Sequence, residues 1–574
     1  MDHSPIFSRS KASFSRCRPF VSGTQGGVST NNYYATKAGL EIMANGGNAA
    51  DAAVAVSLAL GVVDPFHSGI GGGCFSLYYD SPSGSFLSLD ARGTAPAKAF
   101  SDMYLDDAGN VDETWESFDG KSVAVPPLYK ALERLNRTYG TMSMEELSEP
   151  AIRLAREGFI AGSLYEYAME HPLCTHAAAY SDDFKRVYMK NGEKYRFGDR
   201  IVNPDLADTM EAVAKNGIDW FYHGEPAERM VKCVQRRAGV LSRDDLAGSR
   251  AKERPAIRGS FMGFDLVSMS PPSSGGAHLI QMLNILENFD LRKMGHNSAD
   301  YLHLLCETMK IMFADRSEAI GDPDYVRVGT ERIISKAFAK ERAAQIDMEN
   351  AQDYAPAEGI EAKEYQGNTS HFSIIDKYGS MIAQTQTIRS FWGSGVMCEG
   401  YGFVMNNTVS DFSAKAGVLT TQGLVYGTAN AIEGGKTPLS SMAPTLVFRD
   451  GKPFMSCGAA GGPRIITGTL QLLLNVLVFG MGPDEALKAA YINCLTGSQG
   501  LEYEPGISPD TIEELRRRGH KLLPCGSGNL LTTLVNGVMI DDGRFQACGS
   551  HRHDGCGGVL NVGGNMAFNG ITFG

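Results

Sequence analysis

Thr369 is the residue whose type and place in the chain most directly imply chemistry. It stands in Asn368-Thr369-Ser370, after the hydrophilic run EGIEAKEYQGN and at the start of an alternating segment, HFSIIDKYGSMIAQTQT. If the chain cuts itself before Thr369, the new N-terminus carries a nucleophilic hydroxyl and an α-amine base on one residue, so no separate triad is required. The α-amine titrates near pH ~8, which leaves a neutral fraction at physiological pH. The sequence therefore predicts an amide-cleaving, acyl-transferring enzyme made as a precursor.

Further polar stretches contain the other parts that an acyl-transfer site needs. Arg92 follows a predicted strand, Asp411 stands in NNTVSDFS, and Ser440 and Ser441 lie in an apolar setting. In GAAGGPR, backbone N–H groups ahead of a predicted helix can bind an anion or an oxyanion. Each feature alone has an ordinary structural reading, such as a solvated arginine, a helix N-cap or a turn. Together with a nucleophile they predict a carboxylate anchor, an ammonium anchor, hydroxyl donors and an oxyanion hole.

Three motifs that suggest a bound nucleotide or metal are better read as loops. GIGGGC (residues 69–74) lacks the last glycine of a dinucleotide loop and leads into a strand, and GKTP (residues 435–438) lacks the P-loop glycine and continues into proline. CGSHRHDGC (residues 548–556) has metal-ligand residue types, but four ligands within nine residues would strain the loop. We therefore expect no metal and no cofactor.

The elements that must position these residues follow from periodicity and turn signals. Helices are predicted over 33–63 with a break at Gly46-Gly47, at several places between about 125 and 350, and over IITGTLQLLLNVLVFG. Strand pairs are predicted within residues 67–93, 369–390 and 440–458, with short strands from 528 onward, and residues 1–32 are expected to form an irregular N-terminal arm. Antiparallel strands in some blocks and helices in others predict an α+β fold of stacked sheets covered by helices.

Composition limits the partners and the compartment. The chain has 574 residues, of which 43% are hydrophobic, so it can bury a large core. A net charge of −12 argues against nucleic acid or an anionic membrane as partner. The longest apolar stretch, residues 49–63, is too short to span a bilayer, and the N-terminus lacks the apolar region of a secretory signal. Eleven cysteines without framework spacing suggest reduced thiols, so we expect a cytoplasmic protein, with export by another route left open.

Taken together, the motifs resemble those of the γ-glutamyltranspeptidase (glutathione hydrolase) family of N-terminal nucleophile hydrolases. The matching stretches run in family order from about residue 26 to 570 and include NGGNAADAAVAVSLALGVVDP, GIGGGCF, LDARGTAPAKA, NTSHFSIIDKYG, FWGSGV, KTPLSSMAPT and GAAGGPRIITGTLQ. The resemblance implies a four-layer αββα sandwich and self-cleavage between Asn368 and Thr369. It implies a large fragment, residues 33–368 after the arm of residues 1–32, and a small fragment, residues 369–574, which stay associated in one core.

The resemblance also implies roles for individual residues. Thr369 matches the nucleophile and Thr387 the threonine that orients it, while Gly461 and Gly462 match the oxyanion-hole glycines. The substrate would be a small glutathione-like amide. Its α-carboxylate would bind Arg92, Ser440 and Ser441, and its α-ammonium would bind Asp411.

Two positions around the ammonium pocket depart from the family pattern. Arg389 stands where the family has asparagine, and Thr408 where it has glutamine or glutamate. A guanidinium there would repel an α-ammonium or pair with Asp411. The leading hypothesis is a γ-glutamyl hydrolase or transferase. The alternatives are an amidase for another acyl group, as in the related cephalosporin and glutaryl acylases, and an unprocessed, non-catalytic binding protein.

Overall fold

Two antiparallel sheets form the middle of the computed structural model, which describes residues 21–319, 321–354, 368–415, 427–495, 499–525 and 533–569. The eight-stranded sheet contains, in spatial order, Met566–Asn569, Cys556–Leu560, Gly26–Thr30, Ser370–Asp376, Met381–Thr387, Gly73–Asp80, Ser85–Ala91 and Lys252–Glu253. The seven-stranded sheet contains Ser22–Gly23, Arg544–Cys548, Leu534–Asp541, Lys452–Ala460, Thr445–Arg449, Phe264–Ser268 and Ile257–Phe261. Neighbouring strands in both sheets pair antiparallel, so hairpins can connect them.

Helices cover the outer face of each sheet. The eight-stranded sheet carries Tyr33–Ala44, Ala49–Val63 and Leu128–Tyr139, with Met144–Glu157 and Pro204–Asn216 packed outside them. The seven-stranded sheet carries Gly275–Leu286 and Arg464–Leu477, with Ala299–Ala319, Lys336–Ala343, Pro483–Lys488 and Pro509–Arg517 near them. Shorter helices include Ser163–Glu170, Pro172–Tyr180, Asp182–Tyr188, Ile218–His223 and Glu225–Arg236. None of the described helices combines the length and the apolar composition that a bilayer crossing requires.

Three apolar cores separate the four layers. One lies between the sheets and draws residues from both, including Leu77, Ile375, Leu446 and Val538. The other two join each sheet to its own helices. Helices cover the outer face of each sheet and the two inner faces pack together, so the fold is the αββα sandwich that the family resemblance implied.

The helix Ala49–Val63 is buried along its whole length, as its predominantly apolar sequence predicts. Its start is defined by a capping box, in which the Asn48 side chain accepts from the backbone of Asp51 and the Asp51 carboxylate accepts from the Asn48 N–H. It ends at Val63, and in the turn that follows, the Ser68 hydroxyl donates to Ser370 Oγ at the start of strand Ser370–Asp376.

The expectation of an irregular arm over residues 1–32 is wrong in its last part. Residues 1–20 lie outside the described residues, but Gly26–Thr30 is a buried strand between Ser370–Asp376 and Cys556–Leu560. A Cβ at Gly26 would meet the Met43 side chain and the Ile375 carbonyl. The strand therefore requires glycine at this position. A β-branched residue there would have indicated a strand in the sequence, but it would not fit.

Both sheets combine strands from either side of the Asn368–Thr369 bond. Strand Ser370–Asp376 pairs with Gly26–Thr30, and Met381–Thr387 pairs with Gly73–Asp80. In the other sheet, Phe264–Ser268 pairs with Thr445–Arg449. The two segments expected to become separate fragments therefore share one core.

Candidate active site

Strand pairing places Thr369 opposite Thr387. The register of Ser370 against Gln386 continues by one step to this pair at the end of the ladder. The Thr387 hydroxyl donates to the carbonyl oxygen of Asn368 at 2.8 Å and accepts from the backbone N–H of Arg389 at 2.7 Å. It therefore polarises the carbonyl that a self-cleaving Thr369 would attack.

The glycine run at residues 71–73, which the sequence predicted as a loop, lets three backbones approach one another. A Cβ at Gly72 would collide with the Thr387 carbonyl, and one at Gly73 would collide with the carbonyls of Ala91 and Arg92. Because only glycine fits such contacts, this run determines how close Thr387 and Arg92 lie to one another.

A pocket of about 340 Å³, including its open mouth, lies in front of Thr369. The sequence-predicted residues that line it are Arg92, Asn368, Thr369, Thr387, Arg389, Asp411, Ser440, Ser441 and Gly462. Thr408 and Gly461 are not among its lining residues, and the backbone N–H of Thr408 donates to Asn406 Oδ1 instead. The lining is completed by Arg316, Leu439, Met442 and Ile465.

Asp411 is paired with two arginines at the wall of the pocket. Arg389 Nε donates to Asp411 Oδ1 at 3.0 Å, and Arg92 bonds to the other carboxylate oxygen. Both guanidinium groups are buried, with side-chain exposures of 3% each. Of the two outcomes left open for Arg389, the structure shows pairing with Asp411.

Arg389 adopts a backbone conformation that is uncommon for its type. Its φ is 80°, in the left-handed region. Its guanidinium also donates to Ser390 Oγ and to the carbonyl of Ser410, both at 3.2 Å. A strained residue held by several bonds beside a candidate nucleophile is typical of a functional position.

Arg316 is a pocket residue that sequence reasoning missed. It comes from the helix Ala299–Ala319, and its guanidinium donates to Ser441 Oγ at 3.0 Å and to Ser274 Oγ at 2.8 Å. A signal was present, because Arg316 falls one turn after the buried Met312 and so lies on the apolar face of its helix. This arginine positions one of the two serines expected to bind a carboxylate.

Gly461 and Gly462 form the connection between strand Lys452–Ala460 and helix Arg464–Leu477. Their φ values are 130° and 58°, which glycine adopts without strain. The turn lies at the N-terminal, positive end of this long helix, and Gly462 lines the pocket. This arrangement is suited to stabilising a developing oxyanion.

The nearby histidines are not organised as bases for Thr369. His371 shares its ring nitrogens with Thr385 Oγ1 at 2.8 Å and Ser373 Oγ at 3.0 Å, and burial lowers its pKa to about 3. Burial, and then the nearby His553, lower the pKa of His67 to about 3, against a hydrogen bond that the imidazole N–H donates to the Asn368 side chain, which acts to raise it. Both rings are therefore neutral at physiological pH, and their hydrogen bonds go to Thr385, Ser373 and Asn368.

One group of metal-ligand types occurs in the described part of the chain, away from the pocket lining. It comprises the buried residues His303, Glu307 and His520. His303 Nδ1 and His520 Nε2 are 2.8 Å apart, which is a hydrogen-bond distance, and Lys310 Nζ lies 2.6 Å from Glu307. The ammonium of Lys310 already supplies the positive charge that a metal ion would bring. The residues of CGSHRHDGC lie in and beside the turn between strands Arg544–Cys548 and Cys556–Leu560.

Comparison with known proteins gives this arrangement a context. The chain is 40% identical over 506 residues to the glutathione hydrolase proenzyme of Escherichia coli (strain K12), covering 88% of this chain and 86% of that protein. It is 33% identical over 563 residues to the acylase ACY 1 proenzyme of Pseudomonas sp. (strain SE83), covering 96% of each. The crystal structure of cephalosporin acylase from Bacillus halodurans superposes with a TM-score of 0.82 at 25% identity, covering 98% of this chain and 99% of that one.

The family assignment rests on a match that spans most of the strands and helices described above. Residues 35–559 match the sequence model of the family described as Gamma-glutamyltranspeptidase. That range contains every residue that lines the pocket. The chain belongs to the γ-glutamyltranspeptidase family of N-terminal nucleophile hydrolases.

Proposed function

We propose that this chain is a proenzyme that cleaves itself before Thr369 and then transfers or hydrolyses the γ-glutamyl group of glutathione-like amides. The observation that carries the proposal is the 2.8 Å hydrogen bond from the Thr387 hydroxyl to the Asn368 carbonyl. This bond places a donor on the carbonyl next to the candidate nucleophile, and the 40% identity to a glutathione hydrolase proenzyme supports the same reading.

Self-cleavage needs only groups that the chain contains. Thr369 Oγ attacks the carbonyl carbon of Asn368, its proton passes to the amide nitrogen of Thr369, and the C–N bond breaks. The product is an ester between Asn368 and Thr369 Oγ together with a free α-amine. Water then opens the ester, which leaves a carboxylate on Asn368 and restores the hydroxyl.

In the mature enzyme the α-amine of Thr369 acts as the base for its own hydroxyl. The hydroxyl attacks the acyl carbonyl of the substrate, and backbone N–H groups at Gly461 and Gly462 stabilise the oxyanion. The proton taken by the α-amine goes to the leaving amine, and the acyl-enzyme is then resolved by water or by another amine. No step requires a cofactor.

Arg92, Ser440 and Ser441 bind the carboxylate at the far end of the acyl group in this proposal. Arg316 orients Ser441 through its 3.0 Å hydrogen bond, and the planar guanidinium of Arg92 suits a carboxylate. The Arg92–Asp411 pair then has to rearrange or share its donors when substrate binds. Small acyl donors fit the size of the pocket.

A second candidate function follows from the Arg389–Asp411 pair. Asp411 is the residue expected to bind an α-ammonium, yet Arg389 already occupies one carboxylate oxygen at 3.0 Å. An acyl group that ends in a carboxylate and lacks the ammonium, such as glutaryl, would leave this pair undisturbed. The similarity to an acylase proenzyme over 96% of the chain agrees with this alternative.

Two measurements test the proposal. A denaturing gel with N-terminal sequencing should show two fragments, the smaller beginning at Thr369, and Thr369→Ala should abolish both cleavage and activity. A single intact chain would instead indicate the non-catalytic binding protein. Comparing γ-glutamyl and glutaryl anilides then decides the acyl group, and a glutaryl preference would overturn the γ-glutamyl assignment in favour of the second candidate.

We further propose that the protein works in the cytoplasm, with the two fragments remaining associated. The described cysteines are thiols rather than disulfides, and most are buried, as in a reducing compartment. Fractionation of the source cells tests this location, and activity found mainly outside the cytoplasm would contradict it.

A further inference from the structure

The turn at residues 66–68, called the 66–68 turn below, contacts the chain on both sides of the Asn368–Thr369 bond. The His67 imidazole hydrogen-bonds to the Asn368 side chain. The next residue, Ser68, donates its hydroxyl to Ser370 Oγ at 3.2 Å. Two consecutive residues of one turn thus hold the residue before Thr369 and the residue after it.

The turn is itself held rigidly against the strand end that carries Thr387. The backbone N–H of Ile388 donates to the His67 carbonyl at 2.9 Å, and that of Trp392 donates to the Phe66 carbonyl at 3.1 Å. Gln386 Nε2 donates to Ser68 Oγ at 3.0 Å, which orients that hydroxyl. The 66–68 turn and Thr387 therefore form one unit around the candidate cleavage site.

The geometry of the Asn368–Thr369 peptide bond explains why contacts on both sides of it matter. Attack by Thr369 Oγ on the preceding carbonyl closes a five-membered ring, so the peptide plane must be turned and held for the oxygen to reach the carbon. The Asn368 carbonyl accepts from Thr387 and its N–H donates to the Arg389 carbonyl at 3.1 Å. The remaining polar group of Asn368 is its side-chain amide, and His67 hydrogen-bonds to it.

We infer that the 66–68 turn positions the Asn368–Thr369 peptide for self-cleavage, with His67 as the main positioning residue and Ser68 as its second contact. This inference rests on the proposed function, since it concerns the maturation of the same site. His67 acts only before cleavage, because its partner Asn368 then becomes the C-terminal residue of the large fragment and is no longer bonded to Thr369. It is a positioning residue and takes no part in acyl transfer by the mature enzyme.

The bonded nitrogen of His67 identifies the conservative substitution. Its Nδ1 is buried and has no hydrogen-bond partner in the part of the chain that the structure describes, so the bond to Asn368 is made through Nε2. The amide nitrogen of glutamine reaches about the position of histidine Nε2. His67→Gln therefore keeps an N–H donor toward Asn368, and His67→Ala removes it.

The test follows cleavage of the full-length chain over time after cell-free synthesis, on a denaturing gel. We expect His67→Ala to slow formation of the fragments 1–368 and 369–574 by ~10- to 100-fold, because small misplacements of reacting atoms have effects of this size. His67→Gln should restore the rate to within about threefold, and Ser68→Ala should slow it less than His67→Ala. Once matured, the His67→Ala enzyme should hydrolyse its anilide substrate with an unchanged kcat.

His520→Ala is the matched control, because His520 is also buried and its pKa is likewise lowered to about 3 by burial. Thermal unfolding of both variants in the Thr369→Ala chain shows whether each one folds. Cleavage of His67→Ala at the parent rate, equal slowing by His520→Ala, or no rescue by His67→Gln would overturn the inference. If the parent chain itself does not cleave, it is the proposed function that fails.

Discussion

In the proposed mechanism, the Thr387 side chain serves two successive reactions. Before cleavage, the Thr387 hydroxyl donates to the Asn368 carbonyl, and Thr369 is 5% exposed. After cleavage that carbonyl leaves, and the same hydroxyl becomes available to the new N-terminal threonine. One donor can therefore stabilise the oxyanion of maturation and later orient the nucleophile.

Removing that donor should block maturation first. Thr387→Val keeps the shape of the side chain and removes the hydroxyl, so we expect self-cleavage to slow by ~100-fold or more, as when an oxyanion donor is lost. Thr387→Ser should retain most of the rate. Thr385→Val is the control, because that hydroxyl bonds to His371 at 2.8 Å and not to the cleavage site. Equal rates in Thr387→Val and the parent, measured by fragment formation, would contradict the assigned role.

The pairing of Arg389 with Asp411 makes a prediction about substrate choice. Arg389→Asn frees one oxygen of Asp411, and asparagine tolerates the left-handed backbone at this position. We expect KM for a γ-glutamyl anilide to fall by ~10-fold, which corresponds to one charged hydrogen bond. KM for a glutaryl anilide should stay constant or rise. A parallel change for both substrates would show that Arg389 only supports the backbone.

Sequence reasoning at the residue scale was limited by distance along the chain. The candidate pocket residues from Thr369 onward lie in recognisable motifs. Arg316 and His67 do not, because each becomes important only through a partner far away in sequence, Ser441 in one case and Asn368 in the other. Thr408 was expected in the ammonium pocket, but a short helical turn at Thr408–Asp411 leaves it outside the lining.

At the scale of elements, glycine spacing sets the distances on which the site depends. The backbone of residues 71–73 lies against the carbonyls of Val404, Thr387 and Ala91, closer than any Cβ would permit. An added methyl group at Gly72 would push the strand end that carries Thr387 away from Asn368. The loop therefore acts as a spacer, although it contributes no reacting group.

Gly72→Ala should slow self-cleavage by ~10-fold or more, since a shift of a fraction of an ångström at Thr387 weakens its bond to Asn368. Gly329→Ala is the matched control, because nothing lies within 4 Å of a Cβ at that position. Fragment formation over time, with thermal unfolding as a check on folding, distinguishes the two. Similar cleavage rates for both variants would show that the contact at Gly72 can relax without moving Thr387.

Some strands and helices could be predicted from the sequence, and strand Gly26–Thr30 could not. The hairpin Gly73–Asp80 with Ser85–Ala91 and the helix Arg464–Leu477 follow from alternation, turn residues and helical spacing. Strand Gly26–Thr30 was missed because its sequence, GGVST, carries little strand preference of its own. It exists because two neighbouring strands bond to it, and such tertiary stabilisation leaves no local pattern.

At the scale of the whole molecule, stability depends on pH through buried groups near the site. Burial raises the pKa of Asp64 to about 8, and its Oδ2 has no hydrogen-bond partner in the described part of the chain. Since the folded-state pKa lies above the ordinary value of 3.8, the contribution of Asp64 to stability is full below that value and is lost as the pH rises toward about 8.

Asp64→Asn should remove this loss. In the uncleaved Thr369→Ala chain, we expect the substitution to raise the free energy of unfolding more at pH 8 than at pH 5, by on the order of 1.4 kcal/mol per pH unit at most. Urea unfolding at the two pH values measures the difference. An equal effect at both values would mean that Asp64 is ionised in the folded protein.

Strands from both sides of the Asn368–Thr369 bond are interleaved in both sheets. We therefore expect the intact chain to fold readily and the cleaved protein to refold poorly. In the intact chain, joining the two sheets costs the entropy of closing a loop, whereas in the matured protein two separate chains must find each other. We expect the Thr369→Ala chain to refold from urea at high dilution and the matured enzyme to lose its recovery of native structure as it is diluted. Equal recovery for both would contradict this. If the matured enzyme cannot refold at high dilution, it stays native only because it unfolds slowly. Its working lifetime is then set by the rate of unfolding rather than by the equilibrium between the folded and unfolded states.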